Sequence, residues 1–328
     1  MARINRTNLT IVHRYLYKNP PAPHCFFTAT ELSVYFFSSL TFYFNLSIFT
    51  STMDKVPGLY SDIGKKARDL LYKGYHTDHK FSITSESATG VVLSSSGLKK
   101  DDLFLADVNA QLKNKNITTD IKVDSSSNLF TTITLDEAAP GLKTILSFRV
   151  PDQQSGKLEV QYLHDYVGIS TSIGLTANPI VNFSGLVGTN VLSLGTDVSF
   201  DTKLGAFSKY NAGLSFTNDD LVVSVNLNDK GDTLSTSFYR TLRHVKSTAV
   251  GMEVSHSFST NEKTFTTGTQ YQLDELTTIK TSLNNFGKAT ALLQHQWRPN
   301  SLFTLSGEID TKAINKGAKY GLAVALKP

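Results

Sequence analysis

From about Phe81 to Leu326 the chain alternates apolar and polar residues with period two, in segments of roughly ten residues separated by short polar turns. Successive side chains of a strand point to opposite faces, so each segment has one apolar face and one polar face. In Val167-Gly168-Ile169-Ser170-Thr171-Ser172-Ile173-Gly174-Leu175 the odd positions are apolar or β-branched, and the even ones are only Gly and Ser. Many one-sided strands in series must share a place to put their apolar faces, and that requirement limits the folds open to the chain.

The same scheme sets Leu142, Leu146, Phe148 and Val150 against Lys143, Ser147 and Arg149, and Leu158, Val160 and Tyr162 against Lys157, Glu159 and Gln161. It recurs in 250–258, 263–273, 303–310 and 320–327. Polar clusters such as Asn218-Asp219-Asp220 and Asn228-Asp229-Lys230-Gly231-Asp232 mark the turns. Pro140, Pro151, Pro179 and Pro299 fall at junctions, where a missing N–H breaks no ladder. Segmenting 81–327 in this way gives about nineteen strands of ~9–11 residues. A soluble sandwich would bury the apolar faces between two sheets, whereas a transmembrane barrel turns them to lipid and the polar faces to a lumen. The polar faces here are Ser, Thr, Gly, Asn and Gln with scattered Lys and Arg, and charged residues make up only 18% of the chain, below the ~25% of ordinary globular domains. Closure also removes strand edges that an open sheet would expose. An all-β transmembrane barrel is therefore favoured, with a soluble β-rich binding protein as the alternative.

Two stretches precede the strands. Residues 1–52 hold Arg3, Arg6, Arg14 and Lys18 against a single acid, Glu31, and an uncharged run from Ser33 to Thr50. That run is rich in Phe, Tyr, Ser and Thr and starts too far from Met1 for an ordinary secretory signal. Pro20, Pro21 and Pro23 interrupt any amphipathic targeting helix. Residues 1–52 are expected to be an extension outside the working machine, disordered or not native, upstream of a start at Met53; a targeting segment and a membrane anchor are the other readings. Residues 53–78 read as a helix and linker. Leu59, Ile63, Ala67, Leu70 and Leu71 form one apolar stripe at helical spacing, after a Pro57 suited to a first turn. Such a helix could pack on a sheet, lie on a membrane or lodge in a polar lumen. The barrel itself is assigned to 79–328.

Catalytic chemistry has no evident carrier. Cys25 is the single cysteine, the eight histidines are scattered, and neither a P-loop nor an HExxH motif occurs. The formal charge is +4, most of the basic excess precedes Met53, and a nucleic-acid footprint is absent. The chain is expected not to be an enzyme and to need no cofactor or metal. Basic groups facing a water-filled lumen would concentrate anions, and Lys65, Lys66, Arg68, Lys143 and Arg149 are the candidates. The tripeptides Gly97-Leu98-Lys99 and Gly141-Leu142-Lys143 each read as a strand start with a lumen-facing or turn lysine.

Three stretches resemble one family, the eukaryotic mitochondrial porins or voltage-dependent anion channels, in their plant branch. They are PGLYSDIGKKARDLLYK from Pro57, the tripeptide at 141–143, and YQLDELTTIKTSLNNFGKATALL from Tyr271. The last is similar to the family signature, with Glu275 in place of a small residue or Pro and Ser282 in place of Lys or Arg. The resemblance runs from about Pro57 to Pro328. It implies a nineteen-strand barrel in the mitochondrial outer membrane, closed by parallel pairing of first and last strands, with the N-terminal helix inside the pore. It also implies voltage gating, a nucleotide contact at Gly141, Leu142 and Lys143, and an assembly signal in the last strand carried by Lys319, Gly321, Val324 and Leu326. Gly97-Leu98-Lys99 does not align with the contact. Ile121 occupies the place of a membrane-facing glutamate found in some relatives. The expected function is a weakly anion-selective diffusion pore for metabolites, ATP, ADP and small ions, with membrane lipids as partners and homo-oligomer formation left open. A related barrel that imports proteins is the rival within the membrane class.

Overall fold

The computed structural model describes residues 58–100, 103–152, 154–242, 247–312 and 317–327. The expectation for residues 1–52 lies outside the described residues. A 3-10 turn (Tyr60–Asp62) and one helix, α1 (Lys65–Leu71), precede β1 (His79–Glu86), β2 (Val91–Lys100), β3 (Leu103–Asn114), β4 (Ile117–Asp124), β5 (Leu129–Asp136), β6 (Leu142–Val150) and β7 (Lys157–Leu163). The chain continues through β8 (Val167–Gly174), β9 (Ile180–Gly188), β10 (Leu192–Asp201), β11 (Ala206–Asn218), β12 (Leu221–Asn228), β13 (Thr233–Leu242), β14 (Thr248–Ser257) and β15 (Lys263–Asp274). It ends with β16 (Thr277–Asn284), β17 (Lys288–Arg298), β18 (Ser301–Asp310) and β19 (Lys319–Leu326).

Every strand pairs antiparallel with its neighbour in sequence, and β1 closes the sheet on β19. An up-and-down meander reverses direction at each turn, so an odd number of strands leaves first and last pointing the same way. The seam is accordingly parallel, with Phe81 opposite Val324 and Ile83 opposite Leu326. The result is a closed all-β barrel of 19 strands without the exposed edge that a long open sheet would carry. Among the described residues no helix is long and apolar enough to cross a membrane.

The registers sort the side chains into two faces. Phe148, Tyr162, Phe183, Leu194, Leu214, Val254, Phe265 and Leu305 share one parity, and each stays more than a third exposed. The opposite parity carries Ser172, Ser193, Ser215, Ser224, Ser237, Thr266 and Ser306, all buried. Burial is thus reversed relative to a soluble protein, with large apolar side chains outside and small polar ones inside, as lipid around a lumen demands. Ile121 lies on the outer face and is 41% exposed. Lys99 departs from the expected lumen or turn position: it lies at the end of β2, opposite His79, on the outer face with Gly97 and Leu93. Two residues of shift along the strand keep the face, so a motif on outward parity cannot point inward.

The apolar core is inside the barrel. Ile63, Ala67, Leu70 and Leu71 are all buried, and Leu70 and Leu71 cluster with Ala249, against which Tyr239 packs. The stripe read from the spacing is therefore the docking face, but the helix is shorter than that spacing suggests. Gly64 sits between the 3-10 turn and α1 at φ 70°, in the left-handed region that glycine enters most easily. That kink lets Ile63 and Leu70 reach the wall at different strands.

Candidate functional site

The lumen is built from the inward parity of the strands plus the segment 58–78. This segment touches β8 through Gly58 and Gly168, β10 and β11 through Tyr60 and Ile63, β14 and β15 through Leu70 and Leu71, and β19 through His76 and Gly321. Twenty-one residues can reach strands so far apart in the ring only across its concave side. α1 lies near the midpoint of these strands, where the inward residues are small. A Cβ at Gly251 would come within 3.2 Å of Leu70, and one at Gly268 within 2.8 Å of Leu71. Polar tethers surround this apolar seat. Tyr72 Oη donates to Glu253 Oε1 (3.2 Å), Lys280 Nζ donates to the Asp69 carbonyl (3.4 Å), and Ser306 Oγ bonds to both the N–H and the carbonyl of His76.

The titratable groups of the segment are held in defined states. Burial pushes the Asp62 carboxyl up, but the Leu59 N–H and the Lys65 ammonium outweigh it, and the net shift is below the ordinary value. Its hydrogen bond and charge hold the Lys65 ammonium above its ordinary value. Burial pushes the Tyr75 phenol up to about 12, so at neutral pH it keeps its proton and donates to the Leu70 carbonyl at 3.3 Å.

All five cations expected to set anion selectivity line the lumen or its mouths, but their surroundings differ. Lys65 pairs with Asp62 at 3.0 Å and Lys143 with Asp136 at 3.3 Å, directly across the β5–β6 ladder. Arg149 pairs with Asp152 beyond the end of β6 and stacks on Phe130. Arg68 donates to the Ser61 carbonyl at 2.8 Å, and Lys66 is exposed. Among the described residues neither of these two meets a carboxylate within ion-pair distance, although Arg68 lies close enough to Asp62 and Glu253 for its charge to act on both. Three inward lysines that the sequence did not single out are paired on a diagonal of their ladders, Lys122 with Asp107, Lys209 with Asp197 and Lys288 with Glu308, while Lys80, Lys113 and Lys280 are in no ion pair among the described residues. Only register could have found the pairs.

The tripeptide at 141–143 splits by parity. Lys143 faces the lumen, Leu142 faces outward opposite Tyr162, and Gly141 precedes β6 at φ 75° with the Leu163 carbonyl against the place a Cβ would take. Gly141 thus has a packing reason of its own. In β19, Lys319 and Gly321 point inward while Val324 and Leu326 point outward across from Phe81 and Ile83.

Residues 56–321 match the model of the eukaryotic porins. The chain belongs to that family. A mitochondrial outer membrane porin of 34 kDa from Solanum tuberosum is 75% identical over 276 residues, 84% of this chain and 100% of its own length. That is as many residues as run from Met53 to Pro328. Porin 1 of the mitochondrial outer membrane of Arabidopsis thaliana is 60% identical, and an outer plastidial membrane porin of Pisum sativum 64%, each over the same share of both chains. As a porin of this family the barrel is a voltage-dependent diffusion pore of the mitochondrial outer membrane, a channel rather than an enzyme. The protein-import barrel and the soluble binding protein give way to this reading.

Proposed function

We propose that this porin passes anionic metabolites, ATP and ADP in preference to cations of similar size, and that Lys66 and Arg68 of α1, which form no ion pair among the described residues, set the sign of that preference. The observation that carries the reading is the contrast between Lys66 and Arg68, which face the lumen without a carboxylate at ion-pair distance, and Lys122, Lys143 and Lys209, which pair with acids on the neighbouring strand. Fixed charges that cancel pairwise leave little field along the axis, whereas an unpaired cation near mid-height lowers the entry barrier for anions.

Within the tripeptide, Lys143 is the group that would meet a nucleotide phosphate, supported by its inward parity and 44% side-chain exposure. Gly141 and Leu142 shape the strand start. Lys319, Gly321, Val324 and Leu326 would act as the assembly signal, on the strand that closes the barrel. The test is the reversal potential in a salt gradient across a planar bilayer. Changing Lys66 and Arg68 together to Glu is expected to turn a weakly anion-selective pore cation-selective, and unchanged reversal potentials would refute the assignment. Lys143→Glu alone is expected to weaken ATP-dependent reduction of the current.

A further inference from the structure

Two His–Lys cross-strand pairs stand on the mostly apolar outer face of the barrel, and both lie at the rim where odd-numbered strands begin and even-numbered strands end. There His79 stands opposite Lys99, and His256 opposite Lys263. All four have outward parity: His79 shares its face with Phe81 and Ile83, Lys99 with Leu93, His256 with Val254, and Lys263 with Phe265. Each pair has aromatic flanks. The His79 and Tyr320 rings are 5.8 Å apart, Phe104 lies opposite Lys99, and both Phe104 and Tyr320 are 66% exposed. The His256 ring meets Phe258 edge-on at 5.0 Å. Among the described residues neither lysine is in an ion pair, and no strand carboxylate at this rim has outward parity. Asp232 lies close enough to His256 to feel its charge, while Asp101 and Asp102 follow the first pair in sequence, outside the described residues.

We propose that the His79–Lys99 pair, repeated at His256–Lys263, binds the phosphate of an anionic phospholipid headgroup. The proposal rests on the barrel spanning a bilayer. A lysine at the edge of the hydrocarbon extends its ammonium to the headgroup level, aromatic side chains settle at that same level, and a lipid phosphate there supplies the counter-charge that no outward strand carboxylate among the described residues of this rim provides. Phe104 and Tyr320 then bracket the glycerol and the first methylenes. The consequence is a barrel with one rim set against anionic lipid.

The experiment uses the full chain in phosphatidylcholine nanodiscs containing a small fraction of either brominated phosphatidylglycerol or brominated phosphatidylcholine. The reporter is the indole introduced by Tyr320→Trp in a Trp297→Phe background. Quenching should show a preference of roughly five-fold or more for phosphatidylglycerol, the factor expected of one lysine near an anionic surface. Lys99→Gln with His79→Gln should abolish the preference, Lys99→Arg should retain it, and millimolar inorganic phosphate should not compete. Equal quenching by the two lipids, or a preference that survives the double substitution, would overturn the proposal. So would displacement by inorganic phosphate, which would make this a general anion site. Bilayer conductance of the double variant separates this outcome from failure of the pore reading, because loss of the lipid site leaves the current intact. Should that variant not insert, Phe258→Trp with His256→Gln and Lys263→Gln carries the same test at the second pair.

Discussion

The lumen wall has two sectors that the same alternation builds differently. From β10 to β15 the inward positions next to the N-terminal segment are Gly195, Gly213, Ser224, Ser237, Gly251 and Gly268, and Tyr60, Ile63 and the apolar stripe of α1 fill the space they leave. From β3 to β7 the inward positions carry Asp107, Lys122, Asp136, Lys143, Lys157 and Glu159, linked in ion pairs at 2.9 to 3.4 Å. Both sectors are polar by composition and share one outer face. Side-chain volume separates them: where inward residues are small another segment docks, and where they are long and charged they face water. The gain in stability from the docked sector is apolar burial, whereas exposed ion pairs contribute only about 0–1 kcal/mol each.

That contrast can be broken most sharply at the helix. Replacing Leu70 and Leu71 by Ala is expected to cost about 2–5 kcal/mol per site, read as lost hydrogen-exchange protection of the 65–72 amides while the strand amides stay protected. Adding volume on the wall is the complementary experiment. Gly268→Val places new methyl groups against Leu71 and the Thr281 carbonyl and should weaken docking by about 1–3 kcal/mol. The same side chain at Ser147, on the charged sector, should leave the helix protected. The smallest effect is acid. The Asp62 carboxyl is held below its ordinary value, so its support of the first turn is complete above that value and is lost as pH falls through the lowered one. With Asp62 part-exposed the loss is under about 1 kcal/mol. It should show as extra exchange in residues 59–65 only at strongly acid pH, and Asp62→Asn should remove the pH dependence.

Much of this was legible from the residues. Strands β6 and β7 begin and end where the alternation places them, and β14, β15, β18 and β19 do so within two residues, because a one-residue slip would turn every apolar side chain into the lumen. The helix stripe likewise named the buried set. The kink at Gly64 was hidden, since helical spacing continues across it. The pairing of inward lysines with acids on the next strand was also hidden, because a diagonal contact depends on register, which no single segment contains. Lys99 shows the same limit, whereas the parity of Leu142 was already set by its run to Val150. A tripeptide read alone has no parity, and parity appears only once the neighbouring strands are aligned.

The account stands on a helix that lies inside the pore with one face against the wall and the other in the current. Cysteine accessibility during bilayer recording tests this directly, with Lys66→Cys and Ala67→Cys compared in a Cys25→Ser background. Ala67 is 2% exposed and its neighbour Lys66 is exposed. A water-soluble, membrane-impermeant thiol reagent should modify the cysteine at 66 quickly and lower the anion current in steps, while the one at 67 stays unmodified over the same period. Equal reactivity at both positions, or modification at 66 without change in current, would contradict it.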